Sequence, residues 1–299
     1  MSRISKTASG LSNDAPSKVV IGTCAWSFDD WRGVFYPEHL PASDWLEYYA
    51  RHFSSVEIDS TFYHPPAPHV AAHWAQVTPE HFVFSAKMPR EITHDRKLRE
   101  CEALLEAFLA GIGHLGRKLQ CVLIQLPPSF SPKHDEHALR DFIRHLPAHN
   151  RFAVEFRDPA WHIPRIAHLL EEHRIAWVWN DMTTLEHASE AAFGFWPRTT
   201  DFLYLRMLGD LDGKYHVDGS EIHLYRELMW QRDAAIENWA EKIRSLLPEV
   251  PQVLLYVGNQ YEGFAPLTAA RFATRLGVEL RLPTREELQG SDAQQLDLL

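Results

Sequence analysis

The stretch 54-SSVEIDSTFYHPP-66 decides the fold. Val56, Ile58 and Phe62 read as the apolar positions of a short buried strand, yet Glu57 and Asp59 lie inside it. Successive side chains of a strand point to opposite faces, so Glu57, Asp59 and Thr61 share one face and Val56, Ile58 and Ser60 the other. Such a strand needs an apolar layer on one side and a polar space on the other. Helices packed outside a closed barrel supply the first, and the mouth of the barrel interior supplies the second. The acids then point inward and lie towards the C-terminal end. Pro65 and Pro66 end the strand and lead into a helix.

Seven further runs read as buried strands: 19-VVIGTCAW-26, 82-FVFSAKMP-89, 119-LQCVLIQLPP-128, 151-RFAVEFRD-158, 175-IAWVWND-181, 201-DFLYLRMLG-209 and 252-QVLLYVGN-259. They are rich in β-branched and aromatic residues and bounded by turn residues. Helix-period positions lie between them. Leu46, Tyr49, Ala50 and Phe53 form one set; Leu98, Cys101, Leu105, Phe108 and Ile112 another; Ala269, Phe272, Ala273 and Leu276 a third. Val70–Val77, Leu139–Leu146, Ile163–Leu170 and Ile236–Leu246 carry the same period, whereas 184–196 has no clear one. Strands alternating with helices imply a parallel sheet covered by helices. Eight units in roughly 260 residues match an α/β fold of the (β/α)8 TIM-like barrel type. The expected organisation is a single domain over 18–283, with flexible tails at 1–17 and 284–299. The competing open sheet of a nucleotide-binding protein lacks its G-x-G-x-x-G after strand one, and no P-loop occurs.

Composition narrows the function classes. The chain has 299 residues, 45% hydrophobic and 23% charged, which is ordinary globular composition. A net charge of −10 argues against nonspecific nucleic-acid binding, which needs a basic surface. Cys24, Cys101 and Cys121 have no CxxC spacing, so a reduced compartment is expected, the cytoplasm. The N-terminus has no apolar core of a secretory signal, and no apolar run reaches a membrane span.

The strand ends carry the chemistry. Strand two brings Glu57 and Asp59, strand three Lys87, strand four Gln125, strand five Glu155 and Arg157. Strand six brings Asp181, strand seven Arg206 and strand eight Asn259. Barrel enzymes keep their active sites at this C-terminal mouth. Two readings stand. Buried charges must be paired, and these acids and bases suffice for a closed ion network. Alternatively, carboxylates act as general acid and base while Lys and Arg hold an anion. The convergence of polar groups favours the site.

Other features flank the mouth. The loop 27-SFDDWRGVFYPEHLPAS-43 follows Trp26 and carries Trp31, Arg32, Phe35 and Tyr36, as a stacking lid or as a mini-core. In 87-KMPREITHDRKL-98, Lys87, Arg90 and His94 lie close together and suit a phosphate or carboxylate; Tyr63 lies at the end of strand two. The loop 210-DLDGKYHVDGSE-221 reads as a mobile rim. The chain has 18 histidines, but no HExxH and no strand-end pair with ligand spacing, so no cofactor is expected and a divalent metal lacks support. Cys24 reads better as a buried thiol than as a nucleophile.

Taken together, 21-IGTCAWSFDDWRGVFYP-37, 56-VEIDSTFY-63, 84-FSAKMPREITH-94, 125-QLPPSF-130, 153-AVEFRDPAW-161 and 254-LLYVGNQYEGFAP-266 resemble the YecE-like family, a domain of unknown function. The resemblance runs over about 19–280 and implies a TIM barrel without an established activity. Glu57, Lys87, Glu155, Arg157, Asp181 and Asn259 occupy matching positions. Two positions depart from the pattern: Leu208 stands where the strand-seven motif has histidine, and Gly258 where the strand-eight motif has asparagine.

The functional expectation is a small anionic or sugar-like, phosphate-bearing ligand. Glu57, Glu155, Lys87 and Asp181 are the catalytic candidates. Asp59, Tyr63, Arg90, His94, Gln125, Arg157, Arg206, Asn259, Trp26 and Trp31 are the binding candidates. A second reading starts from the tail 291-SDAQQLDLL-299, which looks like the short peptide that binds the bacterial sliding clamp through Gln295, Leu296, Leu298 and Leu299. That reading makes the chain a repair-type, metal-dependent nuclease or a clamp-associated factor. A non-catalytic scaffold is the third.

Overall fold

The computed structural model describes residues 18–182, 197–210 and 225–289. The tail residues Gln295, Leu296, Leu298 and Leu299, the segment 184–196 and residues 211–221 of the polar loop lie outside that set. The strands are β1 Val19–Thr23, β2 Ser55–Ile58, β3 Val83–Lys87, β4 Leu119–Gln125, β5 Phe152–Glu155, β6 Ala176–Met182, β7 Phe202–Gly209 and β8 Gln252–Val257. They form one 8-stranded sheet in the order β1-β8-β7-β6-β5-β4-β3-β2, and every pair is parallel. A bridge between Cys24 and Glu57 closes β1 onto β2. There the Ala25 N–H donates to the Glu57 carbonyl at 2.8 Å.

The helices of the outer layer are α1 Trp45–Tyr49, α2 Pro68–Val77, α3 Glu102–Ile112, α4 Pro132–Arg144, α5 Pro164–Glu172, α6 Asp233–Leu246 and α7 Ala265–Leu276. Prolines open α2, α4 and α5, where the missing N–H has no intrahelical partner to lose. Lys118 is buried. Its ammonium donates to the Ala75 and Thr78 carbonyls at 2.6 and 2.7 Å, satisfying the C-terminal end of α2. A short helix α8, Arg285–Gln289, occupies the start of the expected C-terminal tail.

The two faces of the strands separate cleanly. Val56, Ile58, Phe84, Val154, Trp177 and Leu205 join the layer shared with the helices. Cys121, Leu123, Val178, Tyr204, Leu254 and Tyr256 form a second cluster, the barrel interior. That interior is partly polar and stacked in levels. At the N-terminal end the Arg151 guanidinium lies 3.6 Å over the Phe202 ring and donates to Gln252 at 2.6 Å. Above it the Tyr256 hydroxyl meets Ser55 and Ser85 at 2.8 and 2.9 Å. The third level is the charged mouth.

Two expectations need correction. The sequence period places Leu98 and Cys101 in a helix. In the structure a π-helical turn, Glu91–Asp95, intervenes. Lys97, Leu98 and Glu100 then take left-handed φ of 47°, 66° and 50°, so the helical hydrogen bonding of α3 restarts only at Glu102. Strand two is also shorter than read. It ends at Ile58, and Ser60–Phe62 form a 3-10 turn, so Thr61 no longer follows the strand alternation.

The seam between β1 and β2 depends on Gly22. A Cβ there would stand 2.3 Å from the Ser55 carbonyl oxygen and 2.7 Å from its carbon, both backbone atoms. Gly22→Ala is therefore expected to destabilise the barrel by about 1–3 kcal/mol or more, because only a backbone shift relieves the overlap. Urea unfolding checks this; an unchanged midpoint rejects the tight seam.

Candidate functional site

The charged level is built around Arg206. Its position on β7 shares the inward face with Tyr204, and both are buried. Its Nη2 and Nε donate to Glu57 Oε1 of β2 at 2.6 and 3.1 Å. Nη1 donates to Glu155 Oε2 of β5 at 2.6 Å. The Tyr204 hydroxyl donates to the other Glu57 oxygen at 2.6 Å, and Arg157 binds the other Glu155 oxygen. Each carboxylate is thus satisfied on both oxygens. That matters because an unpaired buried charge costs several kcal/mol.

The two carboxyls are pushed in opposite directions. Burial raises Glu155, but Arg157 and Arg206 outweigh it and hold it at about 2. Burial raises Glu57 above the ordinary carboxylate range, with Arg206 opposing and Asp59 adding to the rise. Every contact to the Glu57 oxygens is a donor, so the geometry fits the ionised form. Glu57 and Glu155, expected as acid and base, are in this structure the acceptors of a closed pair of ion bridges.

Three charged side chains sit above this platform and remain reachable. The Asp59 side chain is 32% exposed, Lys87 13% and Arg157 12%. Lys87 Nζ lies 3.5 Å from Asp59 Oδ1, and Arg206 Nη2 lies 3.8 Å from it. Both are ion pairs, and no hydrogen bond satisfies that oxygen. Lys87 also stands 4.4 Å over the Phe62 ring. His94 meets the same ring edge-on at 4.9 Å. Burial and the fields of Lys87 and Arg90 push its imidazole down to about 4.

The remaining sequence candidates divide. Cys24 lies 3.9 Å from Arg206 Nη2. Burial and Glu57 raise its thiol well above the usual range, so it is no thiolate nucleophile. Gln125 is buried and donates to the Leu126 carbonyl at 2.8 Å. Tyr63 is exposed, and Arg90 pairs with Asp95 at 3.2 Å on the surface. Trp26 is half-buried, edge-on to Trp74 of α2 at 5.5 Å.

Three candidates lie away from the cluster. Trp31 is fully buried against Phe28, Phe35 and Tyr36, whose ring stacks on Trp45 at 4.9 Å. The first loop is therefore a mini-core and not a stacking wall. Asp181 accepts from Trp239 of α6 at 2.8 Å and from Tyr261 at 2.7 Å, so it faces the helix layer. Its neighbour Asn180 shares the inward face with Val178. Asn259 accepts from the Ala265 N–H at 3.0 Å and serves the start of α7. The two departures from the family pattern are neighbours: a Cβ added at Gly258 would stand 3.4 Å from Leu208 Cδ2.

Sequence reasoning missed Tyr204 and Asn180. Tyr204 was legible, since it precedes Arg206 by two on a strand and must share its face. Asn180 was not, because Asn180-Asp181 offers a polar residue for either face. Among the described residues no group of three or more His, Cys, Asp or Glu is placed to hold a metal ion.

The network sets an acid sensitivity. Glu155 falls from an ordinary 4.5 to about 2, so its contribution is complete above about pH 4.5 and is lost as the pH falls towards 2. The difference corresponds to stability on the order of 3 kcal/mol. Glu155→Gln is expected to cost about 3–5 kcal/mol at pH 7, since it leaves buried guanidinium charge uncompensated. It should also flatten the acid loss. Urea midpoints measured at pH 7, 4 and 3 test both, and a variant as stable as wild type at pH 7 rejects the network.

Comparison with known proteins agrees with this architecture. A family model described as "Protein of unknown function DUF72" matches residues 20–291. The chain is 34% identical over 141 residues to UPF0759 protein YecE of Escherichia coli K12, covering 47% of this chain and 49% of that one. It is 30% identical over 152 residues to UPF0759 protein YunF of Bacillus subtilis, covering 49% and 53%. The match thus spans about half the length of these curated relatives. A DUF72 family crystal structure from Thermotoga maritima superposes with a TM-score of 0.71 at 28% identity, covering 87% of this chain and 100% of that one. One from Enterococcus faecalis gives 0.69 at 20% identity, covering 90% and 99%. No helix among the described residues is long and apolar enough to cross a membrane. The barrel, its strand-end residues and the family match over most of its length place the chain in the DUF72 family.

Proposed function

We propose that the C-terminal mouth of the barrel binds a small anionic molecule, with Lys87 and Arg157 as the holding cations. The observation that carries this is the division of the charges into two levels. Arg206, Glu57 and Glu155 satisfy one another below, while Lys87, Arg157 and Asp59 remain partly exposed above. A lysine ammonium and a guanidinium at a partly desolvated mouth attract a carboxylate or phosphate more strongly than they would in open water. The lower level fixes the Glu155 oxygen that Arg157 rests on, so the upper cations are held in place before a ligand arrives.

Acid/base chemistry on the bound molecule falls to Asp59 in this reading. Every oxygen of Glu57 and Glu155 accepts from a donor, whereas the Asp59 side chain is partly exposed and its buried Oδ1 has no hydrogen-bond partner among the described residues. Sugar-phosphate and carboxylate ligands both fit a site of this charge. The nucleic-acid reading draws on the C-terminal tail, which lies outside the described residues.

Calorimetric titration with inorganic phosphate and with sulfate tests the proposal. Wild type is expected to bind. Lys87→Met, which keeps an unbranched apolar stem without the charge, is expected to weaken binding by about 10- to 100-fold, the loss of one charge-assisted hydrogen bond. Asp59→Asn is expected to tighten it severalfold by removing a competing negative charge beside Lys87. An inert wild type, or a Lys87→Met variant of unchanged affinity, overturns the reading.

A further inference from the structure

His94 stands on the π-helical turn that follows β3. In this turn the Pro89 carbonyl accepts from the Thr93 N–H at 3.2 Å and from the Thr93 hydroxyl at 3.1 Å. A threonine hydroxyl has one proton, and a carbonyl can only accept it. The same Oγ1 lies 2.9 Å from His94 Nδ1. The arrangement that makes both contacts hydrogen bonds has Oγ1 donating to Pro89 and accepting from Nδ1, which then carries the ring hydrogen. A neutral imidazole has a single N–H, and Nε2 is therefore an acceptor. Among the described residues nothing hydrogen-bonds that nitrogen.

The surroundings keep the ring neutral. It packs edge-on against Phe62 and is half-buried. Lys87 from β3, Arg157 from the end of β5 and Arg90 on its own turn face it as cations, with Asp95 as the acid. Burial and those cations push the imidazole down to about 4, so at neutral pH a free base sits among positive charges. Lysine and arginine can only donate. A ligand hydroxyl beside the anionic group would find its acceptor in His94 or in Asp59.

Building on the reading of the mouth as an anion site, we propose that His94 Nε2 accepts a hydrogen bond from a hydroxyl of the bound anion. The ligand class is then a hydroxylated anion, such as a sugar phosphate or a hydroxy acid, with its charge on Lys87 and Arg157 and its hydroxyl on His94. Thr93 is the positioning residue that fixes the tautomer.

Two probes of similar size test this by calorimetry: glycerol 1-phosphate and propyl phosphate, which differ in their hydroxyls. Wild type is expected to bind glycerol 1-phosphate about tenfold more tightly, the worth of one good hydrogen bond. The preference should decline as the pH is lowered towards 4 and His94 protonates, while the phosphate, common to both probes, cancels from the ratio. His94→Phe should bind both equally and still bind propyl phosphate. Thr93→Val should lose part of the preference and Thr93→Ser keep it, so the test survives a His94→Phe variant that does not fold. Equal binding of the two probes by wild type overturns this inference and leaves the anion site standing. Binding of neither overturns both. A preference that survives His94→Phe but not Asp59→Asn assigns the acceptor to Asp59 and overturns the role of His94.

Discussion

Arg206 holds one guanidinium between two carboxylates that come from opposite parts of the chain. Glu57 is on β2 and Glu155 on β5, so a single side chain of β7 ties three strands across the barrel. The arrangement is demanding. A guanidinium inside a closed sheet is stable only when its donors find anions, and the carboxylates are stable only when their lone pairs find donors. Tyr204 and Arg157 complete the acceptor side. Once these partners are in register, the positions of β2, β5 and β7 relative to one another are set, and so is the surface on which Lys87 and Asp59 stand.

The interior below is consistent with that constraint. Each level pairs its own polar groups: Arg151 with Gln252 and the Phe202 face, then Tyr256 with Ser55 and Ser85, then the ion bridges. Ser55 and Gly22 bring β1 and β2 together at the seam, where the Cys24–Glu57 bridge joins the two backbones. The residue that begins the charged level therefore also closes the barrel, which couples fold closure to the geometry of the mouth.

The mouth itself was partly legible in the sequence. Glu57, Lys87, Glu155 and Arg206 follow strand alternation and converge as that alternation requires, and Arg157, two residues past the end of β5, keeps to the same side through its bond to Glu155. Asp181 also stood at a strand end, but a one-residue change of face sends it to Trp239 and Tyr261. The ladder between β6 and β7 shifts register next to it, at Asp181/Met182. Asn259 lies beyond the last ladder residue, in a 3-10 turn, where alternation no longer applies. Trp31 looked equally suited to a lid and to a core, because a loop has no period to assign its faces. His94 was visible as a basic neighbour of Lys87, but its neutral state and tautomer depend on Thr93 and Pro89 being folded into a π-helical turn.

By itself the sequence determined the layer architecture. Two-residue periodicity in the strands and a helical period between them leave few ways to bury the apolar face, and a barrel with inward polar strand ends satisfies both. It also placed Glu57, Lys87, Glu155 and Arg206 at the mouth, though not Asp181 or Asn259, which the fold turns elsewhere. Only the tertiary structure decided which of those charges are buried against one another and which stay partly exposed at the mouth. That outcome depends on distances between β2, β5 and β7, where Arg206 stands 51 residues from Glu155 and 149 from Glu57 along the chain. No local pattern encodes whether a guanidinium meets a carboxylate at 2.6 Å or stops at 3.8 Å.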